Sequence, residues 1–128
     1  MKNYNIAILG FGNMGRTHAY ALDTRRFFYP GLPYTASVSA VSVRSEKTAA
    51  SVRAHGIPYV TYDEDELLSR KDIDIIDICT PNVFHFATLK KAIAAGKHIY
   101  CEKPLCTTAA EAEEIAGLAE KAGVHAQI

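Results

Sequence analysis

The sequence predicts an α/β domain in which helices cover both faces of a single parallel β-sheet. Three observations support this fold class. Apolar runs typical of buried strands alternate with stretches of helical periodicity along the chain. The stretches between successive apolar runs are long enough for right-handed crossover connections. The first apolar run, at residues 6–9, leads directly into Gly10, Gly12 and Gly15, which have the spacing G-x-G-x-x-G.

These three glycines have separate physical roles at a strand-to-helix turn. Gly10 allows the tight turn, Gly12 lets a pyrophosphate approach the backbone, and Gly15 lets the helix pack closely against the strand. The unpaired N–H groups and the dipole of the helix N-terminus attract the anion. A flexible turn without a ligand is the alternative, but the position directly after an apolar strand favours nucleotide binding. The residues expected at the ligand are Gly10, Phe11, Gly12, Asn13, Met14 and Gly15.

The first half of the chain continues with regular alternation. A helix is predicted over residues 13–26, and a loop rich in proline and aromatic residues follows at 27–34. We expect these aromatics to pack as a small satellite cluster rather than to contact a substrate, because this loop lies away from the ligand edge. Carboxylates at 63–66 indicate a helix N-terminus rather than a metal or acid-catalysis site. The other predicted elements are a strand at 37–43, a helix at 45–55 and a strand at 58–61.

The second half places further polar residues at the ends of strands. A strand at 73–79 contains Asp77, a partly buried carboxylate that needs a hydrogen-bond donor the sequence does not identify. Thr80, Pro81 and Asn82 follow it directly at the ligand edge. The remaining elements are a helix at 84–95, a strand at 97–101, a helix from Thr107 or Thr108 to residue 122, and a strand at 124–128. The pattern predicts a Rossmann-type, doubly wound sheet in the order 3-2-1-4-5-6, with ligand bound where the order reverses.

Bulk properties exclude several classes of partner. With 128 residues, the chain is expected to form one domain over residues 1–128. Its 14 basic and 14 acidic residues balance, which argues against a nucleic-acid partner. No apolar run approaches the roughly 20 residues of a membrane helix, and no signal peptide is expected. Three cysteines without metal-type spacing indicate reduced thiols in a cytoplasmic protein, and no metal site is predicted.

Four stretches together resemble a known family. They are the glycine motif at 10–18, Thr80-Pro81-Asn82 followed by His85, residues 95–98, and Cys101-Glu102-Lys103-Pro104-Leu105. In this order and spacing they closely resemble the N-terminal domain of the Gfo/Idh/MocA oxidoreductases, the family of glucose-fructose oxidoreductase and inositol dehydrogenase. The resemblance covers essentially the whole chain.

The resemblance implies an NAD- or NADP-dependent enzyme that moves a hydride to or from a sugar, a cyclitol or a similar small hydroxy or oxo compound. It places Thr80, Pro81 and Asn82 along the nicotinamide ribose. It makes Lys103 the active-site lysine, presented by a turn that Glu102 and Pro104 shape and that in the family often contains a cis peptide bond. An ammonium can stabilise the negative charge that develops on the substrate oxygen.

Other candidate residues have competing interpretations. His85 is expected near the cofactor, although local packing at a helix N-terminus is the alternative. Cys101 resembles a nucleophile, but no base is its sequence neighbour, so a core role is expected. His18 and His98 receive the same structural interpretation.

The end of the second strand bears on the choice of cofactor. NAD-preferring members of the family usually carry an acid where this chain has Val43. Arg44 can pair with a 2′-phosphate, Ser45 can donate a hydroxyl, and Lys47 adds positive charge. These residues predict NADP over NAD. NAD remains the alternative, because Glu46 could reach the ribose.

Family members continue into a second α/β domain, whereas this chain ends at Ile128. We therefore expect a truncated chain that binds nucleotide without turnover. The surface that faces the second domain would then be bare, which predicts self-association into a homo-oligomer. The alternative function is a stand-alone NAD(P)-binding module that senses redox state without catalysis.

Overall fold

A computed structural model describes all 128 residues and contains one six-stranded parallel sheet with helices on both faces. The strands are β1 (Lys2–Leu9), β2 (Tyr34–Ser42), β3 (Tyr59–Thr61), β4 (Ile75–Ile78), β5 (His98–Cys101) and β6 (Ala126–Gln127). The helices are α1 (Asn13–Phe28), α2 (Glu46–Ala54), α3 (Glu64–Ser69), α4 (His85–Ala94) and α5 (Ala109–Ala122), and a 3-10 turn spans Asn82–Phe84.

The strand order is β3-β2-β1-β4-β5-β6, which confirms the predicted topology. All five neighbouring pairs are parallel. The order reverses between β1 and β4, because the chain crosses from β3 at one edge to the other side of β1. The carboxyl ends of these two central strands therefore form the edge at which a ligand is expected.

Side chains of β1 alternate between two separate apolar cores. Ala7 and Leu9 pack in a cluster of 16 buried residues that α3, α4 and α5 cover. Ile6 and Ile8 pack in a cluster of seven buried residues on the opposite face, against α1 and α2. Because both faces of the central strands are buried, residues 6–9 of β1 form a continuous apolar run, and Asp77 is the one polar residue of β4.

The segment after α1 differs from its prediction. Helix α1 continues to Phe28, and β2 begins at Tyr34, where it pairs with Lys2 at the start of β1. Phe27, Phe28 and Tyr29 expose 71%, 75% and 64% of their surface, so the expected satellite cluster of aromatics is wrong. The longer helix places Phe27 and Phe28 in its last turn and Tyr29 at its C-cap, and all three side chains are exposed there.

The acidic segment acts as predicted. Asp63 is the N-cap of α3, and its carboxylate accepts a hydrogen bond from the main-chain nitrogen of Asp65 at 2.9 Å. The three acids in the first turn of α3 complement the helix dipole. None of the five helices combines the length and the apolar character that a bilayer-spanning segment needs.

Candidate nucleotide-binding site

The glycine turn joins β1 to α1 under tight steric limits. Gly10 has a φ of +88°, and a Cβ atom there would lie 2.9 Å from the carbonyl oxygen of Cys79. A Cβ atom at Gly15 would lie 2.2 Å from the carbonyl oxygen of Gly10, far inside van der Waals contact. Both positions therefore require glycine, the first for the turn and the second for the close approach of α1.

Gly12 is a glycine for a different reason. A Cβ atom built there would meet no atom within 4 Å, so the packing of the protein itself would tolerate a side chain. Gly12 is the N-cap of α1, and no side chain caps this end of the helix. The first turn of α1 also contains no acidic residue. Free N–H groups and the positive end of the helix dipole thus face open space, as an anion site requires.

The space beside the glycine turn is a cleft of about 630 Å³. It lies at the carboxyl ends of β1, β2 and β4, where the strand order reverses. The cleft brings together eight of the residues that the sequence predicts at the ligand. They are Gly10, Phe11, Gly12, Asn13, Met14, Arg44, Thr80 and Pro81.

Seven predicted site residues lie outside the lining of this cleft. Ser45 instead caps α2, where its hydroxyl accepts a hydrogen bond from the main-chain nitrogen of Thr48 at 3.2 Å. The cleft also contains residues that sequence reasoning did not select, among them Tyr62, Asp63 and Glu64 at the start of α3. The predicted residues outside the lining are Gly15, Ser45, Lys47, Asn82, His85, Glu102 and Lys103.

The hydroxyl of Thr80 is an unpaired polar group at the cleft. Its Oγ1 atom is inaccessible to solvent and has no hydrogen-bond partner in the protein. A buried hydroxyl without a partner costs free energy, which a ligand atom can recover by hydrogen bonding. Together with the open space over Gly12, this unpaired hydroxyl shows that the residues present fit a bound dinucleotide.

His85 has a structural position rather than a place in the cleft. It is fully buried at the start of α4, with Nδ1 2.9 Å from the carbonyl oxygen of Pro104 and Nε2 2.8 Å from that of Thr80. Both ring nitrogens are thus engaged with the main chain. His85 thus ties the end of β4 to the turn that follows β5.

The Lys103 turn lies at the carboxyl end of β5, beside the end of β4. The main-chain nitrogen of Glu102 donates to the carbonyl oxygen of Ile78 at 2.9 Å, and the Lys103–Pro104 peptide bond is cis, as the resemblance implies. The side chain of Lys103 is exposed.

Cys101 is 1% exposed, and burial raises the pKa of its thiol to about 12, which agrees with the expected core role.

The side chain that pairs with the buried Asp77 carboxyl group is His18. Asp77 is 1% exposed, and His18 Nδ1 lies 2.9 Å from its carboxylate, while His18 Nε2 lies 3.0 Å from Glu102. Burial raises the pKa of Asp77, and the neighbouring imidazole opposes that shift. Helical spacing places position 18 on the face of α1 on which Gly15 contacts the sheet, but it does not identify Asp77 as the partner.

Comparison with known proteins agrees with this geometry. Residues 4–128 match the model of the Gfo/Idh/MocA oxidoreductase family, described as an NAD-binding Rossmann fold. The chain belongs to this family. The resemblance drawn from the four sequence stretches is therefore confirmed.

Relatives and solved structures extend this finding. The levoglucosan dehydrogenase of Pseudarthrobacter phenanthrenivorans is 34% identical over 116 residues, which are 88% of this chain and 29% of that protein. The inositol 2-dehydrogenase of an Arthrobacter species is 35% identical over 124 residues, 95% of this chain and 34% of that protein. A levoglucosan dehydrogenase complex with NADH and levoglucosan has a TM-score of 0.90 at 29% identity, covering 98% of this chain and 35% of that one. The chain thus spans about a third of the length of these relatives.

Replacing His85 tests its role as a link between two loops. In His85→Leu, the carbonyl groups of Thr80 and Pro104 lose the ring nitrogens that contact them, while the side-chain volume is largely kept. We expect the free energy of unfolding to fall by roughly 1–3 kcal/mol, because a carbonyl acceptor that the ring N–H pairs is left without its donor. Urea denaturation measures this loss. The control is Val83→Ala, at a position that is 71% exposed in the adjacent turn. Equal stabilities of the two variants would contradict the assigned role.

Proposed function

We propose that this chain is the dinucleotide-binding part of an oxidoreductase that transfers a hydride to or from a sugar, a cyclitol or a related small molecule. The observation that carries the proposal is the open space over Gly12 at the uncapped N-terminus of α1, within the cleft at the reversal of strand order. The substrate class is supported by relatives named for levoglucosan, inositol and 1,5-anhydro-D-fructose.

The residues of this chain have separate roles in binding the cofactor and the substrate, according to their positions. Main-chain N–H groups of the glycine turn bind the pyrophosphate, and the unpaired Thr80 hydroxyl, with Pro81 and Asn82, borders the nicotinamide ribose. The bound dinucleotide supplies the hydride acceptor or donor. The exposed ammonium of Lys103 donates a hydrogen bond to the substrate oxygen and stabilises negative charge there.

The rest of the substrate site lies, in this proposal, outside residues 1–128. The chain covers only 29% and 34% of the levoglucosan and inositol dehydrogenases to which it is similar. Lys103 on an exposed turn leaves its substrate side open to water, whereas hydride transfer needs an enclosed site. A second domain closing over this turn is the arrangement that we propose for the complete enzyme.

This proposal predicts nucleotide binding without turnover. The purified chain is titrated with NADPH and with NADH, and the fluorescence of the reduced nicotinamide is followed. The chain is then incubated with levoglucosan or myo-inositol and either oxidised cofactor. We expect binding in the first experiment and no formation of reduced cofactor in the second. Absence of binding to either nucleotide would overturn the proposed function, and turnover would overturn the proposed need for further residues.

For the cofactor itself, we propose NADP in preference to NAD. Val43 and Arg44 line the cleft at the end of β2, so the position of the usual ribose-binding acid carries no charge. Arg44 lines the cleft, and its guanidinium lies 4.3 Å from the centroid of the Phe84 ring, a contact that restricts its movement. Of the two carboxylates in the cleft, Asp63 caps α3 and Glu64 accepts a hydrogen bond from the Thr88 hydroxyl.

NAD is the competing cofactor, because the levoglucosan dehydrogenase complexes contain NADH. Removing the guanidinium in Arg44→Ala distinguishes the two. We expect this variant to bind NADPH about tenfold or more weakly and to bind NADH nearly as the parent does, because a charge-assisted hydrogen bond contributes about 1.5–3 kcal/mol. Arg26→Ala is the control, because the Arg26 side chain is 70% exposed near the end of α1 and lies outside the cleft. Tighter binding of NADH than of NADPH by the parent chain would contradict the preference.

A further inference from the structure

A chain of three polar side chains crosses from the sheet to the Lys103 turn. His18 Nδ1 lies 2.9 Å from a carboxylate oxygen of Asp77 on β4, and Nε2 lies 3.0 Å from Glu102 Oε1 after β5. The side chains of His18, Asp77 and Glu102 are 10%, 1% and 19% exposed. The His18 imidazole on α1 therefore connects two carboxylates that are 25 positions apart in the sequence. Asp77 lies on a central strand of the sheet, and Glu102 directly precedes Lys103.

The surroundings of His18 fix the plane of its ring. The ring of Tyr100 stacks on it with centroids 5.0 Å apart and an interplanar angle of 28°. The Cys79 thiol donates to Asp77 Oδ1 at 3.4 Å and lies 3.4 Å from His18 Nδ1. Burial raises the pKa of the Cys79 thiol well above its ordinary value, so it stays protonated as a donor. The imidazole can therefore neither flip nor turn away without losing several contacts.

Pairing requires two protons among the three linked groups. An ionised carboxylate only accepts hydrogen bonds, so each of the two carboxylates needs a proton between itself and the ring. Both protons reside on the imidazole, or one resides on a carboxyl group. In either case each hydrogen bond involves an ionised group or a protonated acid, and such bonds are directional. The Glu102 carboxylate is thereby held in one orientation.

The turn is anchored on both sides of Lys103. Before the lysine, the Glu102 side chain binds His18 and its main-chain nitrogen binds Ile78. After the lysine, the carbonyl oxygen of Pro104 binds the buried His85. Lys103 itself is exposed, so its direction depends on the residues that flank it. His85 is anchored through main-chain atoms, whereas His18 is the one link in this set that acts through a side chain of the turn.

We propose that His18 is a positioning residue, which holds Glu102 through Nε2 and thereby directs Lys103 towards the bound nicotinamide. This inference rests on the proposed function, since it concerns the same nucleotide site. His18 would contact neither cofactor nor substrate. Its effect reaches the reaction through the orientation of the turn, and the Asp77 carboxylate fixes the ring that makes the contact.

Two variants with an amide side chain test the contacts of the two ring nitrogens of His18 independently. His18→Gln places an amide N–H near the position of Nε2 and can still donate to Glu102. His18→Asn places its amide near Nδ1 and can donate to Asp77 but not to Glu102. Backbone amide resonances of both variants are compared with those of the parent by NMR, with and without NADPH. The control is Tyr20→Ala, because Tyr20 lies on the same helix and is 70% exposed.

We expect His18→Asn to shift the amide resonances of Glu102 and Lys103 and to abolish the NADPH-induced change at Lys103. We expect His18→Gln to keep the NADPH-induced change at Lys103, and Tyr20→Ala to keep both the parent resonances and that change. Loss of the NADPH-induced change in both the Asn and the Gln variant, or its retention in both, would overturn the proposal. If neither variant folds, Glu102→Ala removes the same hydrogen bond by deleting the other partner. Loss of the NADPH-induced change at Lys103 in this variant supports the proposal, and a parent-like change overturns it. Failure of the parent to bind any nucleotide would instead count against the proposed function.

Discussion

The close contact between Gly15 and the carbonyl group of Gly10 sets the geometry on which the rest of the site depends. A Cβ atom at position 15 would lie 2.2 Å from that oxygen, so α1 approaches the sheet more closely than any other residue would allow. This approach directs the free N–H groups of α1 into the cleft. It also brings His18, one turn further along the same face, within hydrogen-bond distance of β4.

The second constraint is the pairing of buried polar groups beneath the ligand edge. Asp77 and His85 are fully or almost fully buried, and each is engaged in hydrogen bonds that join different elements. Thr80 is the exception, since its hydroxyl has no partner and lies at the cleft. The hydrogen bonds of the other buried polar groups make this edge of the sheet rigid. A ligand in the cleft can then supply the one hydrogen bond that the Thr80 hydroxyl lacks.

The order of the strands could be predicted from the sequence because the patterns that indicate each element are local. Glycine spacing, apolar runs and helix ends identify each element from a few neighbouring residues, and the handedness of crossovers then leaves few topologies. The eight predicted residues in the cleft likewise follow directly from strand ends. The contacts of His18 join residues 59 and 84 positions apart, and no local pattern reports such pairs. The loop aromatics were misplaced for a related reason, because their burial depended on where α1 ends relative to the sheet.

The central claim is that a dinucleotide binds on the main chain at Gly12, and one substitution tests it most directly. Gly12→Val adds a side chain where no protein atom lies within 4 Å, so the fold is expected to remain while the side chain fills the anion site. Gly117→Ala, at an equally open position on α5, is the control. The account predicts that Gly12→Val keeps the unfolding midpoint of the parent and loses detectable binding of NADPH and NADH. Binding as tight as that of the parent chain would contradict it.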